Sequence, residues 1–241
     1  MRGRSEAMDK VSDSIIFGTA VVAYTVTFAP RKTLGITVRP DCSVEVKAPA
    51  DAQLEDIRLH VHRRAAWICR QQRYFKSLGV HTPERRYVSG ESHLYLGRQY
   101  MLRVVESEHA GVHYKGNILE IACRHKTDAR ALLCAWYRQR AEVKFREYAA
   151  PLISRFKRYG VQPSALLLKE MKTRWGSCTP SGRIYLNPRL VCAPRICIEY
   201  VITHELCHLV HKNHTKAFYG LLKQEMPRWE EWKTKLERMM L

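Results

Sequence analysis

Apolar and polar positions follow two different periods along this chain, and the change of period divides it. Residues 20–29 read AVVAYTVTFA, rich in β-branched side chains, and 33–39 and 43–48 (SVEVKA) continue in alternation. A period of two puts alternate side chains on opposite faces of a sheet, so these segments predict three strands. The first two are expected to form a hairpin around Pro30-Arg31-Lys32. Asp51 predicts the N-cap of a helix running to about Ser77, with Gly79 as its stop. Leu54, Ile57, Val61, Ala65 and Ile68 share one face of it; Arg63, Arg64, Arg70 and Arg73 lie on the other. Strand patterns return over 87–123, where Lys115-Gly116-Asn117 signals a hairpin turn.

From about Thr127 the period becomes helical. Leu133, Tyr137, Ala141, Phe145, Tyr148, Leu152 and Phe156 stand three or four apart, which predicts one long amphipathic helix ended by Gly160. Residues 165–175 and 183–187 predict strands joined by the turn Thr179-Pro180-Ser181-Gly182. Pro194 opens a further helix to about Lys212, and one or two more follow Thr215, interrupted at Pro227. The chain contains no internal sequence repeat. These elements predict an α+β protein: an antiparallel β-rich N-terminal region with one helix (1–125), then a mostly helical domain with a small sheet (126–241).

With 46 % hydrophobic and 27 % charged residues over 241 positions, the composition is that of a soluble globular chain rather than a disordered one. The apolar run 15–29 is too short to span a bilayer as a helix, and its β-branched residues and Tyr24 read as a buried strand rather than an export signal. No membrane role is expected. None of the eight cysteines is spaced C-x-x-C, which suits reduced, mostly buried thiols in a cytoplasmic protein. The net charge of +18 is uneven. Residues 1–125 carry 19 basic and 13 acidic side chains, 126–195 carry 15 and 4, and the remainder is near neutral. A field of this size attracts polyanions, so nucleic acid bound through the basic surface is an expected partner.

Residues 204–214 read HELCHLVHKNH. Residues four apart lie on one face of a helix, so His204 and His208 can hold one metal ion, with Glu205 at its flank as the base for a zinc-bound water. His214 is six residues past His208, the spacing of the third ligand in H-E-x-x-H-x-x-G-x-x-H. The glycine of that pattern is replaced by His211, and Asn213 is expected to make the turn in a left-handed conformation instead. His211 competes with His214 as third ligand. Three neutral imidazoles suit one zinc ion per chain and leave a position for water.

Upstream stand MKTRWGSC (171–178) and GRIYLN (182–187), followed by EYVITHELCHL (199–209), Asn213-His214 and Phe218. RKTLGITV (31–38), Trp67-Ile68 and YLGRQYMLRV (95–104) precede them. Together these motifs resemble the YgjP-like zinc metallopeptidases, relatives of the SprT and WLM groups. The resemblance implies a small zincin-like C-terminal catalytic domain of gluzincin or metzincin type. It also implies zinc roles for His204, His208 and His214 and the base role for Glu205. At Tyr219 that family often has Trp. Arg174 is a candidate for stabilising negative charge in the transition state, with Trp175 beside it and Asn187 orienting a loop. The strand 183–187 is expected to be the edge that pairs with an extended peptide, with Ile184 and Leu186 facing the core.

Three substrates remain open at this point. One is a peptide or protein. Another is a nucleoside triphosphate hydrolysed to release pyrophosphate or phosphate, suggested by Lys169, Lys172, Arg174, Arg183, Arg189 and Arg195. The third is protein bound to nucleic acid, by analogy with SprT relatives. The sequence does not set the oligomeric state.

Overall fold

The computed structural model describes residues 10–39, 41–78, 85–172 and 174–239. They form two compact units that divide between Pro83 and Glu84. The first contains β1 (Lys10–Phe17), β2 (Ala20–Ala29), β3 (Gly35–Val38), β4 (Val44–Pro49) and α1 (Leu54–Leu78). Alternate residues Val22, Tyr24 and Val26 of β2 and Val44, Val46 and Ala48 of β4 are buried against Ile57, Val61, Ala65 and Ile68 of α1. The period-two and helical readings therefore meet in one core. α1 begins three residues beyond Asp51, which lies in the preceding turn. Gly79 lies outside the described residues.

The pairing differs from the expected hairpin at Pro30. β2 turns back on β1 through Gly18, whose φ of +60° suits glycine, and lies parallel to β4; β3 pairs with β4 alone. The sheet order is thus β1-β2-β4-β3. The apolar run 15–29 is the end of β1, the turn and all of β2.

Asp13 of β1 ties the helix to this hairpin. It accepts from Tyr24 Oη at 2.6 Å and from Arg58 Nε of α1 at 2.8 Å. The Arg58 guanidinium first, then the Tyr24 hydroxyl, hold its carboxyl well below the usual carboxylate range. A depressed folded value stabilises the unit above the unfolded value of about 3.9 and loses that stability as pH falls through the folded one. Asp13→Asn is therefore expected to lower the urea midpoint at pH 7, with the deficit shrinking below about pH 4. A deficit that stays constant as the solution is acidified would assign the loss to packing instead.

The second unit starts with β5 (Ser92–Tyr95), β6 (Arg98–Glu106), β7 (Gly111–Lys115) and β8 (Ile118–Cys123), followed by α2 (Ala129–Phe156). Its sheet order, β5-β6-β8-β7, repeats that of the first unit, again with two antiparallel hairpins joined by a parallel central pair. Each sheet is followed by a long helix. The chain thus repeats a topology without repeating a sequence.

Leu133, Ala141, Phe145, Tyr148, Leu152 and Phe156 of α2 are buried, as their spacing predicts. A 3₁₀ turn (Lys157–Tyr159) ends at Gly160 in the left-handed region, φ +71°. Leu102, Leu119 and Ile121 share one core with α2 and the metal-motif helix described below. The 92–123 sheet therefore belongs with the C-terminal elements, and the compact units meet at 83/84 rather than at the expected 125/126.

The remaining elements are β9 (Ala165–Leu168), β10 (Gly176–Cys178), β11 (Arg183–Leu186), α3 (Arg195–Val210), α4 (Lys216–Glu225) and α5 (Trp229–Met239). Of the expected strand 165–175 only β9, 165–168, forms; β10 starts at Gly176, one residue beyond its end. β9 runs parallel to β11, and a parallel neighbour cannot be joined by a tight turn. The turn at 179–182 forms as expected, with Gly182 at φ +75°, and joins β10 to β11. The order β10-β11-β9 makes β11 central, so 183–187 is not an edge; β9 and β10 are, and β10 is the one that lines the cleft described below. Ile184 and Leu186 do face the core. No described helix is long and apolar enough to cross a membrane. Of the eight free cysteines, Cys123, Cys197 and Cys207 are buried, Cys134 is exposed and the others are half-buried.

Candidate metal centre

α3 is apolar on nearly every side. Cys197, Ile198, Tyr200, Val201, Ile202, Leu206 and Cys207 are all buried, and they take Thr203 and Glu205 into the core with them. His204 and His208 emerge from the same face, one turn apart, with ring centroids 5.0 Å from each other. The helix stops at Val210 because His211 is extended, φ −127° and ψ 107°. Asn213 is not among the residues with positive φ, so the expected left-handed turn there is replaced by the extended His211. Thr215 then caps α4, its hydroxyl accepting from Phe218 N at 3.4 Å. Cap and turn bring His214 back over α3, with its Nε2 3.0 Å from Nε2 of His204.

One nitrogen from each of His204, His208 and His214 lies within 4.8 Å of the others. His211 is outside this cluster. Its backbone carbonyl instead faces Nδ1 of His208 at 3.3 Å. A proton on that Nδ1 turns the contact into a hydrogen bond, fixes the ring and leaves Nε2 with a free lone pair. Burial first, then the neighbouring His208 and His214, bring the His204 imidazole down to about 3. Burial and then His214 lower His208. Both rings are therefore neutral near pH 7, the form that donates a lone pair to a metal ion. Neutral imidazoles converging on one point fit a zinc ion.

The rings stand on a base of their own. Phe218 of α4 is fully buried, with its centroid 5.0, 4.6 and 4.7 Å from those of His204, His208 and His214. α4 is anchored in turn by the buried carboxylate of Glu225, which pairs with Arg158 and the Tyr159 hydroxyl at the end of α2. Tyr219 stacks on His214 at 5.9 Å and on Trp229 of α5 at 5.5 Å.

Glu205 is 5 % exposed. Burial pushes its carboxyl up to about 7, opposed by the nearby Arg174 and then by the backbone N–H of Cys178. A carboxyl poised there can take and release a proton near neutral pH. The three histidines and Glu205 line a cleft of about 630 Å³ together with Arg174, Trp175, Tyr200 and Lys212.

Arg174 and Trp175 are thus brought to the same cleft as the histidines. Asn187 does not line this cleft. Its buried amide donates to the carbonyls of Met171 and Arg174 at 2.8 and 3.2 Å, and so clamps the loop that carries Arg174. Cys178 lines the cleft but is not in the histidine cluster. Gly176 and Ser177 of β10 also line the cleft, which the sequence does not single out; the nearest signal is the three-residue run Gly-Ser-Cys beside Trp175.

The fold is α+β, and the cluster takes two histidines from the buried helix α3 and the third from the segment between α3 and α4. The chain belongs to the YgjP-like family, whose metallopeptidase-domain model matches residues 32–239. That match starts after β2 and takes in the rest of the first unit and all described elements of the second. No curated protein matches the chain.

Proposed function

We propose that this chain is a zinc-dependent metallopeptidase in which His204, His208 and His214 hold the metal and Glu205 is the general base. The observation that carries this reading is the convergence of three imidazoles beside a buried carboxyl in an open cleft. Zinc, when bound, supplies a Lewis acid that brings the pKa of a coordinated water close to neutrality. Glu205 accepts the proton lost by the attacking water and delivers it to the leaving amine. Arg174 and Lys212 supply positive charge for the oxygen of the attacked carbonyl. Trp175 forms part of the cleft wall, and Asn187 acts at a distance by fixing the Arg174 loop.

β10 supports a peptide substrate. The carbonyl of Trp175 and the N–H of Thr179 bond to β11, so the backbone groups of Gly176 and Cys178 face the other way; the Cys178 N–H meets the Glu205 carboxyl, and the groups of Gly176 are left at the open edge. An extended peptide can pair along that edge. Free thiols with no disulfide among the described residues fit a reducing, cytoplasmic setting.

Two observations favour other substrates. Glu205 is the only acidic side chain lining the cleft among the described residues, against Arg174 and Lys212, which suits a nucleoside triphosphate. α1 carries Arg63, Arg64, Arg70 and Arg73 on exposed positions, which suits nucleic acid holding a protein substrate.

One experiment separates these readings. Zinc-loaded protein is incubated with unfolded casein, with and without DNA, and with a nucleoside triphosphate panel, each in the presence and absence of a chelator. Chelator-sensitive cleavage of casein is expected. Pyrophosphate or phosphate release with casein intact moves the reading to nucleotides. Cleavage that needs DNA and fades steeply with salt moves it to bound protein. Chelator-insensitive cleavage sinks the zinc reading altogether.

A further inference from the structure

Gly176 opens β10, the strand that faces the metal-motif helix. A Cβ built on it would lie 2.6 Å from Oε1, 2.8 Å from Cγ and 3.0 Å from Cδ of Glu205. The backbone does not call for glycine there, since Gly176 is not among the residues with positive φ. What calls for it is the side chain opposite. Glu205 is 5 % exposed on a helix buried along most of its length, so its Cγ has little room to retreat. Two residues further along the strand, the N–H of Cys178 faces the same carboxyl.

We infer that Gly176 is a positioning residue whose missing side chain is the seat of Glu205. One strand holds the carboxyl at two points, by an empty place at Gly176 and by an amide dipole at Cys178. Together they set how far the carboxyl stands from the three imidazoles. Any side chain at 176 drives the carboxyl out of its seat or lifts β10 off α3. The inference rests on the hydrolase reading for the importance of that distance, and on the geometry alone for the contact.

The test has two parts. The contact is read in metal-free protein from urea unfolding of wild type, Gly176→Ala, Glu205→Ala and the double variant. Gly176→Ala is expected to lower the midpoint when Glu205 is intact. It is expected to have little effect in the Glu205→Ala background, because the truncated side chain leaves room for the new methyl. Failure of the single variant to fold, with a folded double variant, supports the seat equally. Equal loss in both backgrounds overturns it.

The positioning role is read with zinc loaded. Gly176→Ala is expected to bind one zinc per chain like wild type. Its affinity for acetohydroxamate, a probe that hands its proton to the neighbouring carboxyl, is expected to fall as in Glu205→Gln. Casein turnover is expected to fall about 100-fold, the scale set by displacing a reacting group by about an ångström. Wild-type hydroxamate affinity with zinc retained makes Gly176 a packing residue only and overturns the role. Wild-type protein that takes up no zinc overturns the hydrolase reading and the role with it, while the unfolding cycle still decides the contact.

Discussion

Glu205→Gln is expected to keep its zinc and to lose peptide cleavage by about 1,000-fold, within the range that a general base contributes. Gln has the size of Glu and fits the same place beside Gly176, so the three imidazoles are not disturbed. What it cannot do is accept a proton from water. Zinc content per chain and initial rates on casein check the two halves separately. A variant that retains zinc and cleaves at the wild-type rate would remove Glu205 from the mechanism. A second consequence concerns metal-free protein. A carboxyl raised to about 7 in the folded state keeps its proton longer there than in the unfolded chain. Folding stability therefore falls as pH rises from the unfolded value of about 4.3 through the folded one. Gln carries no such penalty, so the metal-free variant is expected to match wild type at pH 4 and to exceed it at pH 8. Urea midpoints at the two pH values read this directly, and a variant less stable at pH 8 contradicts the burial argument.

Phe218→Ala is expected to cost about 3–5 kcal/mol of stability, the range for emptying a buried aromatic site. It is also expected to weaken zinc binding. Phe218 touches all three imidazoles, and its ring is the surface on which they converge. A cavity there lets each ring turn away, so ordering them falls to the metal. Phe218→Leu retains most of the volume and is expected to lose much less of both. Competition against a chromophoric chelator measures the affinity and urea unfolding the stability. Loss of stability with zinc affinity unchanged would show that the rings are held by their own helices.

The parts of the molecule that were legible in the sequence are those whose spacing encodes a single face. His204 and His208 lie four apart on a helix, and the buried rows of α1 and α2 keep a helical period along most of two long helices. The third histidine was legible from its distance to His208, but not the means of bringing it back, which is an extended His211 and a Thr215 cap rather than a left-handed Asn213. β10 was hidden because three residues are too few to show alternation, and with it went the identity of the open edge. The unit boundary was hidden because the strands of 92–123 look like those before them. Only their packing on α2 assigns them to the second unit. Pairing partners were hidden for a similar reason, since alternation marks a strand without naming its neighbour.

The repeated sheet plan has a kinetic consequence. Every antiparallel pair in the two four-stranded sheets is a hairpin between consecutive strands, and only the parallel central pairs join one hairpin to another. Hairpins close within microseconds, so the slow event in each unit is docking one hairpin beside the other. As the chain emerges from synthesis, its two four-stranded sheets present four hairpins with two equivalent docking geometries. Strand order alone does not tell a hairpin of the first unit from one of the second. That discrimination falls to the side chains, to Val22, Val26 and Val46 on one side and Leu102, Leu119 and Ile121 on the other, and to the helix that arrives after each pair to cover it.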